Sequence, residues 1–236
     1  MCGRFVATQT PQQLAAFFGA TTNEPEPSPN YNVAPTTVVL GVVAHEAQRV
    51  IEPFRWGLVP SWAKDVSIGS KMINARAETL AEKPSFKGLF RHRRLLVPMD
   101  GFYEWRQGPS GKTPMFIKRC DGSPVVVAGL WSTWKEPGTP ADSPWLHTCA
   151  LITTRANSTM AEVHDRMPVI LEPNDWDEWL DPRNSDVAEL AELLRPAAEG
   201  VLTMYEVSQR VNSVRNKGAD LIQPVSRGPE VTEGER

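Results

Sequence analysis

Apolar and polar residues change their spacing repeatedly along this chain, and the changes divide it into short elements. Residues 3–7 read as a brief opening strand. Residues 11–19 read as a short helix with Pro11 in its first turn and Gly19 as its stop. Residues 21–30 hold three prolines and no apolar periodicity, which makes them a loop within a domain rather than a linker. β-branched residues at 37–44 and 48–54 predict two strands joined as a hairpin. Short helices are expected at 77–83 and 84–90, followed by strands at 94–98, 114–119, 124–131 and 145–153. Helices at 157–163, 174–180 and 187–194 and a strand at 203–207 complete the pattern. No internal repeat and no regular βαβ alternation appear, so the expected fold is α+β. We expect one domain over residues 1–225, with a curved, largely antiparallel, barrel-like sheet and short flanking helices. Residues 226–236, polar and acidic, are expected to be a disordered tail.

Composition narrows the class. Of 236 residues 41% are hydrophobic, with eight Trp, enough for a substantial core. No apolar run reaches the ~18 residues of a membrane span, and the first residues lack the apolar stretch of a secretion signal, so the cytoplasm is the expected compartment and no membrane is involved. Cys2, Cys120 and Cys149 are widely spaced, without the pairs or Cys/His groups of a disulfide framework or zinc site. Reduced thiols, no metal and no cofactor are expected. A net charge of −3 argues against coating nucleic acid by bulk electrostatics. Any such contact must be local, and Arg91-His92-Arg93-Arg94 is either a candidate for it or a solvated helix end.

The residue with the most distinctive chemistry is Cys2. A small second residue is the condition under which Met1 is generally removed, and an N-terminal cysteine then carries an α-amine titrating at about 7.7–8.0 beside a thiol near 8.5. The amine can condense with an aldehyde to an imine, and the thiol can close on the same carbon to a five-membered thiazolidine, a ring favoured because its closure is intramolecular. Against this stands the reading of Cys2 as a small apolar residue opening a strand. Three further segments, Asn74-Ala75-Arg76-Ala77-Glu78-Thr79, Gly101-Phe102-Tyr103-Glu104-Trp105 and His164-Asp165-Arg166-Met167-Pro168, set polar or ionisable residues among small, aromatic or proline residues at element boundaries, where functional groups are common. Taken singly, each also fits a structural role.

Together they fit a family. With Cys2-Gly3-Arg4-Phe5, Tyr31-Asn32-Val33-Ala34-Pro35-Thr36, Trp56-Gly57-Leu58-Val59-Pro60-Ser61-Trp62, Val97-Pro98-Met99-Asp100 before Gly101, and Ala150 to Asn157, these blocks resemble the SRAP family of SOS-response-associated peptidases or abasic-site-processing proteins. The blocks keep the family's order from residue 2 to about 225. Phe5 stands where Tyr is more usual, and the Pro-rich stretch 136–144 and the tail fall outside the pattern.

The resemblance implies that Cys2 is a covalent nucleophile toward abasic sites in single-stranded DNA, with Asn74, Glu104 and His164 completing the site. Abasic deoxyribose rests as a closed hemiacetal, so a carboxyl buried among aromatics suits the ring-opening step, and Glu104 is the candidate. Asn74 is expected to position the amine or sugar, and His164 to shuttle a proton near the sugar or its 3′ phosphate. Arg4, Arg76 and Arg166 each lie two residues from a proposed site residue, a spacing that on a strand shares one face, and are expected to clamp phosphates. Trp62 and Trp105, with Pro35 and Asn32, are expected to form a ledge for stacked bases; a core role for Trp105 is the alternative.

Two other functions compete with a monomeric crosslinking protein that shields abasic sites during the DNA damage response. One is an N-terminal-nucleophile cysteine peptidase or amidohydrolase that removes its own Met1, compatible with crosslinking because both use one pocket. The other is a non-catalytic module for single-stranded DNA, which leaves Cys2 and Glu104 without a task.

Overall fold

Apolar runs make the strands and local capping makes the helices. The computed structural model describes residues 2–46, 48–109 and 111–225. In chain order its elements are β1 (Arg4–Ala7), α1 (Pro11–Phe18), β2 (Asn30–Val33), β3 (Val38–His45), β4 (Gln48–Trp56), β5 (Asn74–Arg76), α2 (Pro84–His92), β6 (Arg94–Met99), β7 (Gly101–Gly108), β8 (Gly111–Arg119), β9 (Val125–Trp134), β10 (Leu146–Arg155), α3 (Ser158–Ala161), β11 (Arg166–Pro168), α4 (Trp176–Leu180), α5 (Val187–Glu192) and β12 (Leu202–Glu206). α1 starts at a reciprocal cap: Thr10 Oγ1 accepts the Gln13 amide at 3.1 Å while Gln13 Oε1 accepts the Thr10 amide at 2.8 Å. It stops at Gly19, whose φ of 58° is the left-handed region glycine enters freely.

β3, β4, β10, β9 and β6 close into a five-stranded barrel. Neighbours are antiparallel except where β10 meets β4 in parallel through Thr148↔Arg55 and Cys149↔Trp56. β5 and β11 prolong the barrel along β10. A second, antiparallel sheet runs in the order β12-β8-β7-β1-β2. The fold is the expected α+β arrangement. β6 shows how the layers are divided: Leu95, Val97 and Met99 join a cluster with Phe54, Cys149, Phe5, Phe102 and Cys2, while Leu96 joins Leu14, Phe18, Trp176 and Trp179 under the helices. Leu95 fills the barrel so closely that a Cβ at Gly41 or Gly129 would lie 2.6 or 2.8 Å from its methyls.

Several elements depart from the sequence expectation. β2, β5 and β11 are three or four residues long and lack a period of their own; they exist because the barrel and second sheet offer them paired edges. β7, expected only as an element boundary, is an eight-residue strand inside the second sheet. The helix expected at 77–83 is a single 3-10 turn, Ala77–Thr79, and that at 157–163 shrinks to Ser158–Ala161, since isolated short helices are marginal without tertiary packing. The expected disordered tail, 226–236, lies outside the described residues.

The arginines of the basic cluster are engaged within the fold. Arg94 is only 4% exposed, and its guanidinium donates to the carbonyls of Trp179 (2.5 Å), Phe90 (3.0 Å), Arg91 (2.5 Å), Asp181 (2.5 Å) and Asn184 (2.9 Å), tying the ends of α2 and α4 to the barrel. Burial pulls it down to about 10, so it is still charged at neutral pH. Arg93 lies over Trp131, and Arg91 donates to the Ser185 carbonyl. Arg94→Met would strand these carbonyls, so we expect a loss of at least about 3 kcal/mol in urea unfolding; a loss below about 1 kcal/mol would show the clamp to be unnecessary.

Candidate active site

The site is assembled where the second sheet meets the barrel. β1 lies between β2 and β7, with Phe5 opposite Val33 and Phe102 and Arg4 opposite Tyr103. The Phe5 ring packs 5.0 Å from Trp56, the last residue of β4. Trp56 Nε1–H donates to the Ile73 carbonyl at 3.0 Å, and the next residue, Asn74, donates from Nδ2 to the Cys2 carbonyl at 3.0 Å. A closed circuit of contacts thus holds Cys2 against β5. Gly57 makes the circuit possible: its φ is 128°, and a Cβ there would stand 2.7 Å from the Gly69 carbonyl oxygen. That close approach seats the 3-10 turn Val66–Lys71 and allows Leu58 N–H to reach Met72 O at 3.0 Å, one step before Ile73.

Glu104 follows on β7, on the face of Phe102, which belongs to the same cluster as Cys2. It is 4% exposed and sits opposite Met115 of β8, another member of that cluster. Burial pushes the Cys2 thiol well above its ordinary range, the negative field of Glu104 pushes it further, and a hydrogen bond from the Arg4 backbone N–H opposes both. The thiol is therefore protonated at neutral pH, and a carboxylate is near enough to act on it electrostatically.

His164 follows α3, whose Met160 packs into the Cys2 cluster together with Val163. Its Nδ1 lies 3.0 Å from the Arg166 amide and 2.7 Å from Asp165 Oδ1. A bare Nδ1 can accept from the first and an Nδ1–H can donate to the second, so the tautomer decides the partner. Cys2 is thus linked to Asn74 by the hydrogen bond and to Glu104 by the field on the thiol, and His164 follows Val163, which packs on the Cys2 cluster.

The candidate DNA-binding residues divide more unevenly. Asn32 is 1% exposed, with Nδ2 directed at the carbonyls of Val211 (3.1 Å), Ser213 (3.0 Å) and Asn216 (3.0 Å) and Oδ1 accepting from Arg4 Nη1 at 3.0 Å. That corrects its placement on a ledge: a buried amide satisfied in this way ties the 211–216 segment to β2. Arg4 also donates to Val211 O and lies over the Trp105 ring, whereas Cys2, ahead of β1, packs with Phe5; the two-residue spacing does not put Cys2 and Arg4 on one face. Arg166 is engaged within the fold. Both its terminal nitrogens meet the Glu78 carboxylate, at 2.6 and 2.9 Å, and Nη2 donates to Thr153 O. Arg76 is exposed, on β5 two residues beyond Asn74.

Trp62 is 63% exposed, presenting its indole to solvent. Pro35 is half-buried, in a turn whose Thr36 N–H donates to Trp56 O at 2.7 Å, so it too is fastened beside the β4 end. Trp105 is half-buried, packs against the cluster that contains Tyr103 and Val211, and donates to Asn212 Oδ1 at 2.7 Å. Sequence reasoning gave no role to Glu78 or to the segment 209–216. Glu78 carried a signal in standing two residues after Arg76 in the same motif; the polar segment 209–216 carried none. Among the described residues no group of three His, Cys, Asp or Glu could hold a metal ion, and no helix is long and apolar enough to cross a membrane.

Barrel and sheet together seat a cysteine at position 2 with its carbonyl bonded by an amide and its thiol in the field of a buried carboxylate. The chain belongs to the SRAP family, whose model, described as SOS response associated peptidase, matches residues 1–214. It is 42% identical over 226 residues to the abasic site processing protein YoqW of Bacillus subtilis, covering 94% of this chain and 99% of that one. It is 35% identical over 235 residues to the abasic site processing protein YedK of Escherichia coli, covering 95% and 100%. A crystal structure of a protein from Bacteroides thetaiotaomicron superposes with a TM-score of 0.85 at 26% identity, over 95% of this chain and 100% of that one.

Proposed function

We propose that this chain processes abasic sites, and that after loss of Met1 it captures the ring-opened sugar in single-stranded DNA as a thiazolidine at Cys2. The observation that carries the reading is the seating of Cys2, its carbonyl held by Asn74 and its thiol in the field of Glu104. The names of the relatives support the substrate. The thiol's raised pKa sets the order of events. The amine attacks first: its nitrogen adds to the aldehyde carbon, and water leaves to give the imine. The thiol then adds to the same carbon, its proton passing to the ring nitrogen by way of Glu104, so that aldehyde and aminothiol give thiazolidine and one water. Glu104 also serves as the acid–base group for opening the hemiacetal. Asn74 positions, and His164 relays protons at the rim. Arg76 contacts phosphate and Trp62 stacks a base. The capture shields the site during the DNA damage response.

Removal of Met1 by the same pocket fits this scheme as its preparatory step. Asn74 bonds the Cys2 carbonyl, which belongs to the Cys2–Gly3 bond and not to the Met1–Cys2 bond, so it acts as a positioner and not as an oxyanion donor for that cleavage. The test is mass spectrometry of the digested adduct formed with a single-stranded oligonucleotide bearing one abasic site. We expect the N-terminal peptide to carry the sugar less one water, stable to heat. An adduct on a lysine would overturn the proposal.

A further inference from the structure

Two of the eight tryptophans are largely exposed: Trp62 at 63% and Trp145 at 58%. They are far apart in sequence, yet both flank one small cluster of Val59, Ala63 and Trp134, against which Leu146 packs. Trp134 Nε1–H donates to the Ala63 carbonyl at 2.7 Å, Leu146 pairs with Trp134 across β9 and β10, and Val59 N–H donates to Thr148 Oγ1 at 2.9 Å. The segment carrying Trp62 is therefore fastened to the end of the β9–β10 hairpin from which Trp145 projects. Lys135, at the other side of that hairpin loop, places its ammonium 5.3 Å from the centre of the Trp145 ring and anchors it by donating to Ala141 O at 2.7 Å. A cation held against one face of an indole orients the ring and leaves the opposite face for a second flat partner. An indole face held open in this way is suited to a nucleobase, whose stacking requires no sequence.

We infer that Trp145, oriented by Lys135, is a second stacking platform that takes an unpaired base of the same strand beyond the one on Trp62. The inference rests on the proposed function and deepens it by fixing how far the strand is followed. It places the loop 135–145, which lies outside the family's motif blocks, in the specificity of this chain for the length of single strand beside the lesion. The loop also carries Glu136 and Asp142, so the contact is a stacking one and contributes little to salt dependence.

The experiment compares wild type, Trp145→Ala, Trp145→Phe and Trp62→Ala on abasic oligonucleotides of graded length, reading the dissociation constant before reaction and the crosslinking rate at saturating DNA. Trp145→Ala is expected to weaken binding at least about five-fold on long strands only, leave short strands and the saturated rate unchanged, and be rescued in large part by Trp145→Phe. Equal affinity for wild type and Trp145→Ala at every length would overturn the inference, as would an equal loss at every length. Failure of wild type to crosslink at all would instead overturn the proposed function, and this inference with it.

Discussion

An added residue ahead of Cys2 that cannot be removed is expected to abolish the heat-stable crosslink, while leaving DNA binding near its original strength. The extension turns the α-amine into an amide, whose nitrogen no longer attacks an aldehyde, yet it leaves the thiol, Asn74, Glu104 and the indoles where they are. A thiol acting alone gives only a reversible hemithioacetal. The companion variant is Cys2→Ala, processed to a free alanine amine. It keeps the nitrogen and loses the sulfur, so it is expected to give an imine that borohydride traps and heat reverses, with no thiazolidine. The two variants separate nitrogen from sulfur, and the stability of the wild-type product comes from having both on adjacent carbons, where the second bond closes without a second encounter. Denaturing gels with and without reductant read the outcome. A crosslink undiminished by the extension would sink the assignment of the amine.

The second large effect is expected at Glu104. Glutamine keeps the shape of the side chain and its place among Phe102, Met115 and Cys2 but cannot pass a proton. Positioned acid–base groups typically contribute about 10²- to 10⁴-fold, so the single-turnover rate of Glu104→Gln should fall by about that much while its dissociation constant changes little. The removal of a buried negative field should also relieve the Cys2 thiol, and its alkylation by a neutral reagent should titrate at lower pH than in wild type. Lost binding with an unchanged saturated rate would mean that Glu104 holds DNA and does no chemistry. Arg76→Ala makes the contrasting control: Arg76 is exposed, and the phosphate contact proposed for it would act on affinity and salt dependence.

The candidate site was legible through the family resemblance that joins its blocks, and residue types alone left each block with a structural reading. A cysteine at position 2 offers nitrogen and sulfur together, and the blocks around Asn74, Glu104 and His164 place an amide, a carboxyl and an imidazole among small or aromatic neighbours. Arginines were the least legible. Guanidinium groups look alike in sequence whether they are exposed like Arg76, filled by a carboxylate like Arg166, or buried under five carbonyls like Arg94. Asn32 failed in the same way. Its neighbours in the chain give no sign that the carbonyls of Val211, Ser213 and Asn216 will arrive from nearly two hundred residues away.

What the sequence by itself determined was local and chemical: the capped helix from Pro11 to Phe18, the hairpin of β3 and β4, the mostly β middle, and the presence of a thiol at residue 2. Propensity, capping and functional-group chemistry act over a few residues, so a few residues suffice to show them. Closure of the barrel through the parallel meeting of β10 and β4, the strand identity of β7, and the burial of Asn32 and Arg94 were decided only by tertiary structure. Each depends on which distant backbone groups must be paired once water is excluded, and that demand exists only after the layers have come together.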